Sequence, residues 1–424
     1  MKNKYLYTLI LIILTGLSTS NAQNKNYNTL ETLSMEAGYA NDIFYSINEG
    51  EILNIPRAGW DIAFYTSAFS AGIIINEGSG DQLYTYPNGD TSDWTTVDTS
   101  GISSWTILYN SPEYWEDGAF NRNSKAHPDY GWGIYNMVTH TVVGDSIYVI
   151  KTENGFKKLW IVEKISVNNV YKIRYADIDG SNEQTVEIDV KPFVEKNFVY
   201  FSLTTNEILD REPSDEWDVL FTKYIDITYD EFGDPHEYLV TGATSNINRY
   251  ANKFYPVPDE YVNYSSKPFD SLKNVIGYDW KSFDFGSMSW KVEDSTVFFV
   301  QNKLGDVHRL RFTLWEGSSS GYFEFYNDLV EVSGIENEFG EQHTISVYPN
   351  PAVDFVNINI SNENLTNGEI TISDLSGRIV YNSILSNSSG KRNVRVFTND
   401  FVKGIYFITV IGDDVKETKK LIIR

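Results

Sequence analysis

The 424-residue sequence contains no cysteine. This absence excludes disulfide bonds, thiolate metal sites, cysteine nucleophiles and an N-terminal lipid-modified cysteine. Basic residues are also scarce, because 34 Lys and Arg stand against 58 Asp and Glu and give a formal net charge of −24. A surface of this sign repels phosphate backbones and anionic lipids. The composition therefore argues against nucleic-acid binding and against peripheral membrane attachment.

Long apolar runs are missing after the first 22 residues, so no later segment is expected to span a bilayer as a helix. Residues 1–22 themselves have the order of a secretory signal peptide. Lys2 and Lys4 precede a short apolar stretch, and Ser20 and Ala22 are the small residues that a signal peptidase reads. We expect cleavage after Ala22 and export of the mature chain into the periplasm.

Extended helical periodicity is missing as well. Apolar and polar residues instead alternate along short segments such as 171–175, 186–190 and 308–314. Alternation with a period of two places one set of side chains on each face of a strand, as in half-buried antiparallel sheets. Aromatic residues, which favour strands, make up 15% of the chain. The sequence therefore predicts an all-β fold.

Four short segments occur twice, in the same order and at nearly the same spacing. The pairs are 60–64 with 217–221, 132–135 with 280–283, 145–150 with 294–299, and 155–159 with 305–310. A period as long as a small domain indicates duplication rather than a solenoid. We predict an N-terminal extension at 23–39 and two antiparallel β units, at 40–190 and 195–332. The sequence leaves open whether these units form separate cores or share one sandwich.

A polar stretch without strand periodicity, residues 333–343, is predicted to be a linker. Beyond it the acidic character ends: residues 344–424 contain nine Lys and Arg and eight Asp and Glu. Such a change in charge favours an independent C-terminal domain.

The C-terminal segment also carries recognisable motifs. In order they are Ser346-Val347-Tyr348-Pro349-Asn350-Pro351, Asp374-Leu375-Ser376-Gly377-Arg378, Gly404-Ile405-Tyr406-Phe407 and a terminal Lys419-Lys420-Leu421-Ile422-Ile423-Arg424. Together they resemble the type A sorting domain of the type IX secretion system of Bacteroidetes. The residues that carry this resemblance are Tyr348, Pro349, Asn350, Pro351, Gly377, Gly404, Lys419 and Lys420.

This resemblance implies a small Ig-like β-sandwich that directs the protein through the outer membrane. Its implied partners are the type IX secretion machinery and the C-terminal signal peptidase that removes the domain. The implied location is the outer-membrane surface or the medium.

The segments at 60–64 and 145–159 are similar to the HmuY-like family of exported all-β haem-binding proteins. That resemblance implies two HmuY-like units and the capture of haem outside the cell without catalysis. Haem-capturing members are commonly lipoproteins, whereas this chain has no cysteine to carry a lipid.

Haem iron takes axial ligands such as His or Met. In the first unit His127, Met137 and His140 lie close together in sequence, with His140 in a predicted strand and His127 in a loop before Pro128. These three residues are the candidate ligands. The alternative is that each is an ordinary structural or surface residue, as a lone histidine usually is.

A second hypothesis is a surface adhesin or glycan-binding protein. Aromatic rings that flank polar loops can stack on sugar faces, and such rings occur at Tyr109, Tyr114, Trp115, Tyr130 and Trp132. Packing within a β core is the alternative role of these rings.

Two further motifs have simpler interpretations. Residues 177–183 place oxygen donors at alternate positions, as calcium loops do, but a hairpin turn is favoured. Residues 317–321 fit Gly-x-Ser-x-Gly, yet they lie between two predicted strands, whereas a nucleophile elbow joins a strand to a helix. Because no catalytic motif is supported, we expect a binding protein rather than an enzyme.

Overall fold

The computed structural model describes residues 29–68, 70–331, 345–348, 352, 355–362, 368–375, 377–385, 390–412 and 415–423. The predicted signal peptide, the predicted linker and Pro349–Pro351 lie outside these residues. The chain divides into two compact units, Met1–Glu331 and Val332–Arg424. The protein is 51% strand and 7% helix, which confirms the predicted all-β class. Among the described residues, no helix is both long enough and apolar enough to cross a bilayer.

The first unit is built almost entirely from strands. They are β1 (Thr29–Ser34), β2 (Asn41–Ser46), β3 (Gly50–Pro56), β4 (Ile62–Tyr65), β5 (Ile73–Ile75), β6 (Gln82–Thr85), β7 (Gly133–Asn136), β8 (Thr141–Gly144), β9 (Tyr148–Thr152), β10 (Gly155–Ile165), β11 (Val170–Asp177), β12 (Gln184–Asp189), β13 (Phe198–Ser202), β14 (Glu207–Leu209), β15 (Val219–Tyr229), β16 (Pro235–Ser245), β17 (Tyr250–Phe254), β18 (Lys281–Asp284), β19 (Ser289–Val292), β20 (Val297–Gln301), β21 (Val307–Trp315) and β22 (Tyr322–Glu331). Short 3₁₀ turns lie at Ala37–Tyr39, Glu77–Ser79, Thr91–Thr96, Ile102–Ser104, Ala119–Asn121, Lys191–Phe193 and Tyr264–Ser266.

Two sandwiches make up this unit. In the first, the sheet β14-β13-β4-β5 lies against the sheet β12-β11-β10-β8-β7, to which β9 and β6 are added. Their shared core includes Phe64, Trp132, Tyr148, Tyr171 and Phe201. Because large rings from both sheets are almost fully buried, this core alone removes a large apolar area from water.

The second sandwich has the same plan. The sheet β16-β15-β2-β3 lies against the sheet β1-β22-β21-β20-β17. Its core includes Tyr45, Phe221, Trp280, Phe312 and Phe325, and the Trp280 and Phe312 rings stack with centroids 3.8 Å apart.

Each sandwich contains a hairpin from the other half of the chain. The β2–β3 hairpin, from the start of the first unit, pairs with β15, whereas the β13–β14 hairpin pairs with β4. The two hairpins are similar in sequence. The first has Phe-Tyr-Ser at 44–46 and Glu-Ile-Leu at 51–53. The second has Tyr-Phe-Ser at 200–202 and Glu-Ile-Leu at 207–209. The strands they join, β4 and β15, belong to the repeated Trp-Asp segments. The two predicted repeats therefore exchange hairpins, and the duplication and its boundaries at 190 and 195 remain predictions.

The repeated aspartates anchor the exchanged hairpins. Asp61 accepts a hydrogen bond from the Leu203 backbone N–H at 2.6 Å, and Asp218 accepts one from the Ile47 N–H at 2.9 Å. Both carboxylates are buried, and Asp218 also forms an ion pair with buried Arg249. Each carboxylate accepts a hydrogen bond from the backbone N–H that follows the first strand of a hairpin. This shared role explains why the Trp-Asp pattern is present in both predicted repeats.

Trp115, a residue of a loop, packs between the two inner sheets. Trp115 lies 5.9 Å from Phe198 of one sandwich and 6.3 Å from Trp217 of the other, between ring centroids. Its indole N–H donates to the Ser245 carbonyl at 2.8 Å. The first unit is therefore four sheets deep, with Trp115 in its middle interface.

The C-terminal unit has its own core. Its strands are β23 (Ile345–Tyr348), β24 (Phe355–Asn362), β25 (Gly368–Asp374), β26 (Ile379–Leu385), β27 (Gly390–Phe397), β28 (Gly404–Gly412) and β29 (Val415–Ile423). They form the antiparallel sheets β23-β24-β27 and β26-β25-β28-β29, whose apolar faces share buried Ile358, Ile372 and Ile408. Gly377, at a φ of 83°, lies in the turn that joins β25 to β26, where its lack of a Cβ permits the left-handed conformation.

Candidate functional site

The two candidate histidines of the first repeat come together at one hairpin. β7 and β8 pair, and the turn between them ends at His140, whose φ is 55°. The prediction of a strand at His140 is therefore wrong by one residue, because the turn extends to it and β8 begins at Thr141. The His127 loop folds back on β7, where the Tyr135 N–H donates to the Pro128 carbonyl at 2.8 Å.

The Tyr135 ring contacts both histidine rings. The centroid of its ring is 5.6 Å from that of His127 and 6.1 Å from that of His140. The Tyr135 hydroxyl is hydrogen-bonded to His140 Nδ1 at 2.7 Å, so His140 Nε2 is left for another partner. A second hydrogen bond that orients the imidazole in this way is the usual arrangement behind a metal-bound histidine.

These side chains line a cavity of about 490 Å³, here called the histidine cavity. Its walls are His127, Tyr130, Tyr135, His140, Val142 and Val167, together with small residues of the segment 68–71. The volume falls in the range of about 300–1,000 Å³ that is typical of small-molecule sites, and most lining residues are apolar or aromatic.

A buried lysine holds one wall of the histidine cavity. The Lys164 ammonium donates to the carbonyls of Ser67, at 2.9 Å, and of Ser70, and it lies 4.8 Å from the centroid of the Tyr171 ring. Burial lowers the pKa of Lys164 to about 7. The lysine therefore fixes the backbone of this wall and leaves no charge inside the cavity.

The third candidate, Met137, lies in the same turn but is 70% exposed and does not line the cavity. Elsewhere, exposed His236 is paired with Asp230 at 3.2 Å, and Nδ1 of buried His308 donates to the Asn327 Oδ1 at 2.7 Å. His343 lies outside the described residues. No group of three or more His, Cys, Asp or Glu side chains in the described part of the chain is arranged to hold a metal ion.

The second repeat supplies a natural comparison for the hairpin. β18 and β19 pair as β7 and β8 do, and Met288, at the position of His140, has a similar φ of 53°. Phe283 stands at the position of Tyr135. The second copy therefore keeps the backbone but lacks both the phenol and the imidazole.

Three of the five candidate sugar-binding aromatics line another cavity, also about 490 Å³. This acidic cleft is lined by Glu113, Tyr114, Trp115, Glu116, Asp117 and Tyr130, with several Asn side chains. Tyr114 is 53% exposed. Trp132, by contrast, is fully buried and donates to the Ala71 carbonyl, so it belongs to the core.

The remaining sequence motifs are turns. Residues 177–183 join β11 to β12, and the Asp177 carboxylate there accepts from Lys157 and Asn182. Residues 317–321 join β21 to β22 in an antiparallel pair. Both predicted hairpin connections are confirmed.

The comparisons with known proteins concern mainly the C-terminal unit. No curated protein matches this sequence. Among solved structures, dimeric latent PorU from Porphyromonas gingivalis matches with 11% sequence identity and a TM-score of 0.20, over 93% of this chain and 34% of that chain. This chain thus spans about a third of the PorU chain, and a TM-score this low carries no argument about fold.

Residues 346–424 match the family described as the secretion system C-terminal sorting domain. The match covers β24 to β29 and begins within β23, and it includes the positions of all the motifs recognised in the sequence. It supports export by the type IX system, to the cell surface or the medium. The C-terminal unit of this protein therefore matches the secretion system sorting domain over residues 346–424.

Proposed function

We propose that the exported first unit captures haem outside the cell, in the histidine cavity, and that it does so without catalysis. The observation that carries this proposal is that His127, Tyr135 and His140 line one cavity. The resemblance of segments 60–64 and 145–159 to HmuY-like proteins supports it further.

The residues fit a porphyrin in three respects. His140 offers Nε2 while Tyr135 holds Nδ1 at 2.7 Å, and His127 lines the same cavity. Apolar and aromatic walls suit a flat macrocycle. Because no Asp, Glu, Lys or Arg side chain lines the cavity, the propionates would face water. His127 and His140 would hold the haem, and bound haem would supply the iron.

Titration with haemin tests the proposal. Wild-type protein is expected to give a sharp Soret band that saturates at one haem per chain. His140→Ala should weaken binding by about tenfold or more, because loss of an axial ligand or of its orienting partner typically costs this much. His127→Ala should also shift the Soret maximum if this side chain reaches the iron.

Two substitutions serve as controls. His236→Ala removes an exposed histidine of the second sandwich, and Met137→Leu changes a residue of the same turn that lies outside the cavity. Both variants should bind haemin as the wild type does. A spectrum of the wild type that is indistinguishable from free haemin would reject haem capture.

The acidic cleft supports a second candidate function, glycan binding. Tyr114 presents a half-exposed ring beside the carboxylates of Glu113 and Glu116, and among the described residues neither carboxylate forms an ion pair. Rings stack on the apolar faces of sugars, whereas carboxylates accept hydrogen bonds from sugar hydroxyls.

Tyr114→Ala is the informative variant for this candidate. It should abolish binding on a glycan array while leaving the melting temperature nearly unchanged, because the ring is exposed. Trp115→Ala is a poor test, since Trp115 holds the two inner sheets together and its loss would destabilise the protein. A wild-type protein that binds no glycan on the array would contradict this candidate. Turnover of an ester, peptide or glycoside would contradict the proposed absence of catalysis.

A further inference from the structure

A small cavity lies between the two inner sheets, in the interface that Trp115 crosses. Its volume is about 70 Å³, and its walls include Arg57, Trp60, Glu77, Arg211, Lys223 and Lys273. A water molecule occupies about 30 Å³ in the liquid, so this inner cavity has room for one or two particles of that size. It is too small for a sugar or a porphyrin.

Positive charge is in excess around the inner cavity. Four cationic side chains line it, against the carboxylates of Asp42 and Glu77. Asp42 binds Arg57 at 2.8 Å and Arg211 at 2.9 Å. One carboxylate is therefore shared by two buried guanidinium groups, and it has no capacity left for the two lysines.

Glu77 compensates the lysines only in part, because its charge raises the pKa of Lys273 against the larger effect of burial. Its carboxylate accepts from the backbone N–H groups of Ile225, at 3.0 Å, and Asn110, at 2.9 Å. No ion pair joins it to Lys273 within the described residues. Burial raises the pKa of Glu77 and lowers the pKa of Lys273, since both lie in the interface.

Three donors at the inner cavity lack an acceptor in the described part of the chain. The ammonium groups of Lys223 and Lys273 form no hydrogen bond or ion pair there, and the Trp60 indole N–H has no partner. Lys273 is 6% exposed and Trp60 is 8% exposed, so these two side chains are largely shielded from bulk water, whereas Lys223 is half-buried. The Lys273 ammonium lies over the Trp115 ring, 4.5 Å from its centroid.

We propose that the inner cavity binds a small inorganic anion of the size of chloride, held by the Lys223 and Lys273 ammonium groups and by the Trp60 N–H. The cavity supplies donors and positive charge, which an anion needs, and its volume admits a halide ion with one water molecule. The bound anion would balance charge between the two sandwiches and stabilise their interface. This site is separate from the histidine cavity and does not depend on haem binding.

Anomalous diffraction from crystals of the full protein grown in sodium bromide tests the proposal directly. A bromide peak beside Lys273 Nζ and Trp60 Nε1 is expected. Water alone at this position, with no anomalous signal, would overturn the proposal. This measurement uses the unmodified chain and does not require any variant to fold.

Thermal unfolding tests whether the anion contributes to stability. At constant ionic strength, replacing gluconate by chloride should raise the melting temperature by about 5 °C once chloride exceeds its dissociation constant about 100-fold. Lys273→Met should remove this chloride-dependent shift. An equal melting temperature in chloride and gluconate would overturn the proposal.

The duplication provides a matched control. Trp60→Phe keeps the ring but removes the N–H, and it should reduce the chloride-dependent shift by half or more. Trp217→Phe makes the same change at the equivalent buried position of the other repeat, which does not line the inner cavity. The Trp217→Phe protein should keep the full shift; equal loss in both variants would show that the indole N–H of Trp60 has no special role.

Discussion

Deleting residues 344–424 is expected to remove the protein from the medium and the cell surface and to leave it in the periplasm. The reason is that residues 346–424 match the sorting-domain family, whereas the predicted signal peptide directs only the first crossing. Immunoblots of periplasm, outer membrane and medium measure the effect. Undiminished amounts in the medium would show that these residues are not the export signal.

The deletion should leave the first unit folded, because that unit has cores of its own. Thermal melting of the periplasmic protein is therefore a suitable control for folding. A complementary experiment joins residues 332–424 to a reporter that carries a signal peptide. The reporter should reach the medium only when the C-terminal unit is present.

Asp218→Ala is expected to lower the free energy of unfolding by about 3–5 kcal/mol. Asp218 is 4% exposed and forms an ion pair with Arg249. Its removal leaves the buried Arg249 guanidinium with one carboxylate partner fewer. It also leaves the Ile47 N–H without its hydrogen-bond acceptor. Urea denaturation followed by tryptophan fluorescence measures the change.

Asp61→Ala is the comparison that the duplication provides. Asp61 also accepts from a hairpin N–H, but among the described residues it forms no ion pair, so its loss should cost only about 1–3 kcal/mol. Each sandwich contains a hairpin from the other half of the chain, so the two sandwiches should unfold together. Both variants should therefore shift one common unfolding transition. A loss below about 1 kcal/mol for Asp218→Ala, or two separate transitions, would contradict this account of the interface.

Features that depend on neighbours in sequence could be predicted from the sequence. The alternation at 171–175 and 308–314 predicted β11 and β21 because the faces of a strand are set by the order of residues along it. The sorting motifs are short and contiguous, so they were recognisable without a structure. The repeated Trp-Asp segments revealed the duplication for the same reason.

Features that depend on distant pairing could not be predicted. Hairpins at 41–56 and 198–209 could pair with either repeat, because the two copies present nearly the same edges. The inner cavity follows from this exchange, since its walls come from both halves of the chain. The Trp60 N–H without an acceptor and the lysines that line the inner cavity could not be recognised from the sequence.

The sequence by itself determined the sorting motifs, the strand periodicity and the order of the repeated segments, because these properties are encoded by local order. Only the tertiary structure decided which hairpin completes which sheet and which of the candidate residues share a cavity. His127 and His140 meet because the Pro128 carbonyl accepts from Tyr135, and Met137 in the same turn faces solvent. Spacing along a chain does not reveal such geometry, since the direction of a side chain depends on how its turn is folded against the rest of the sheet.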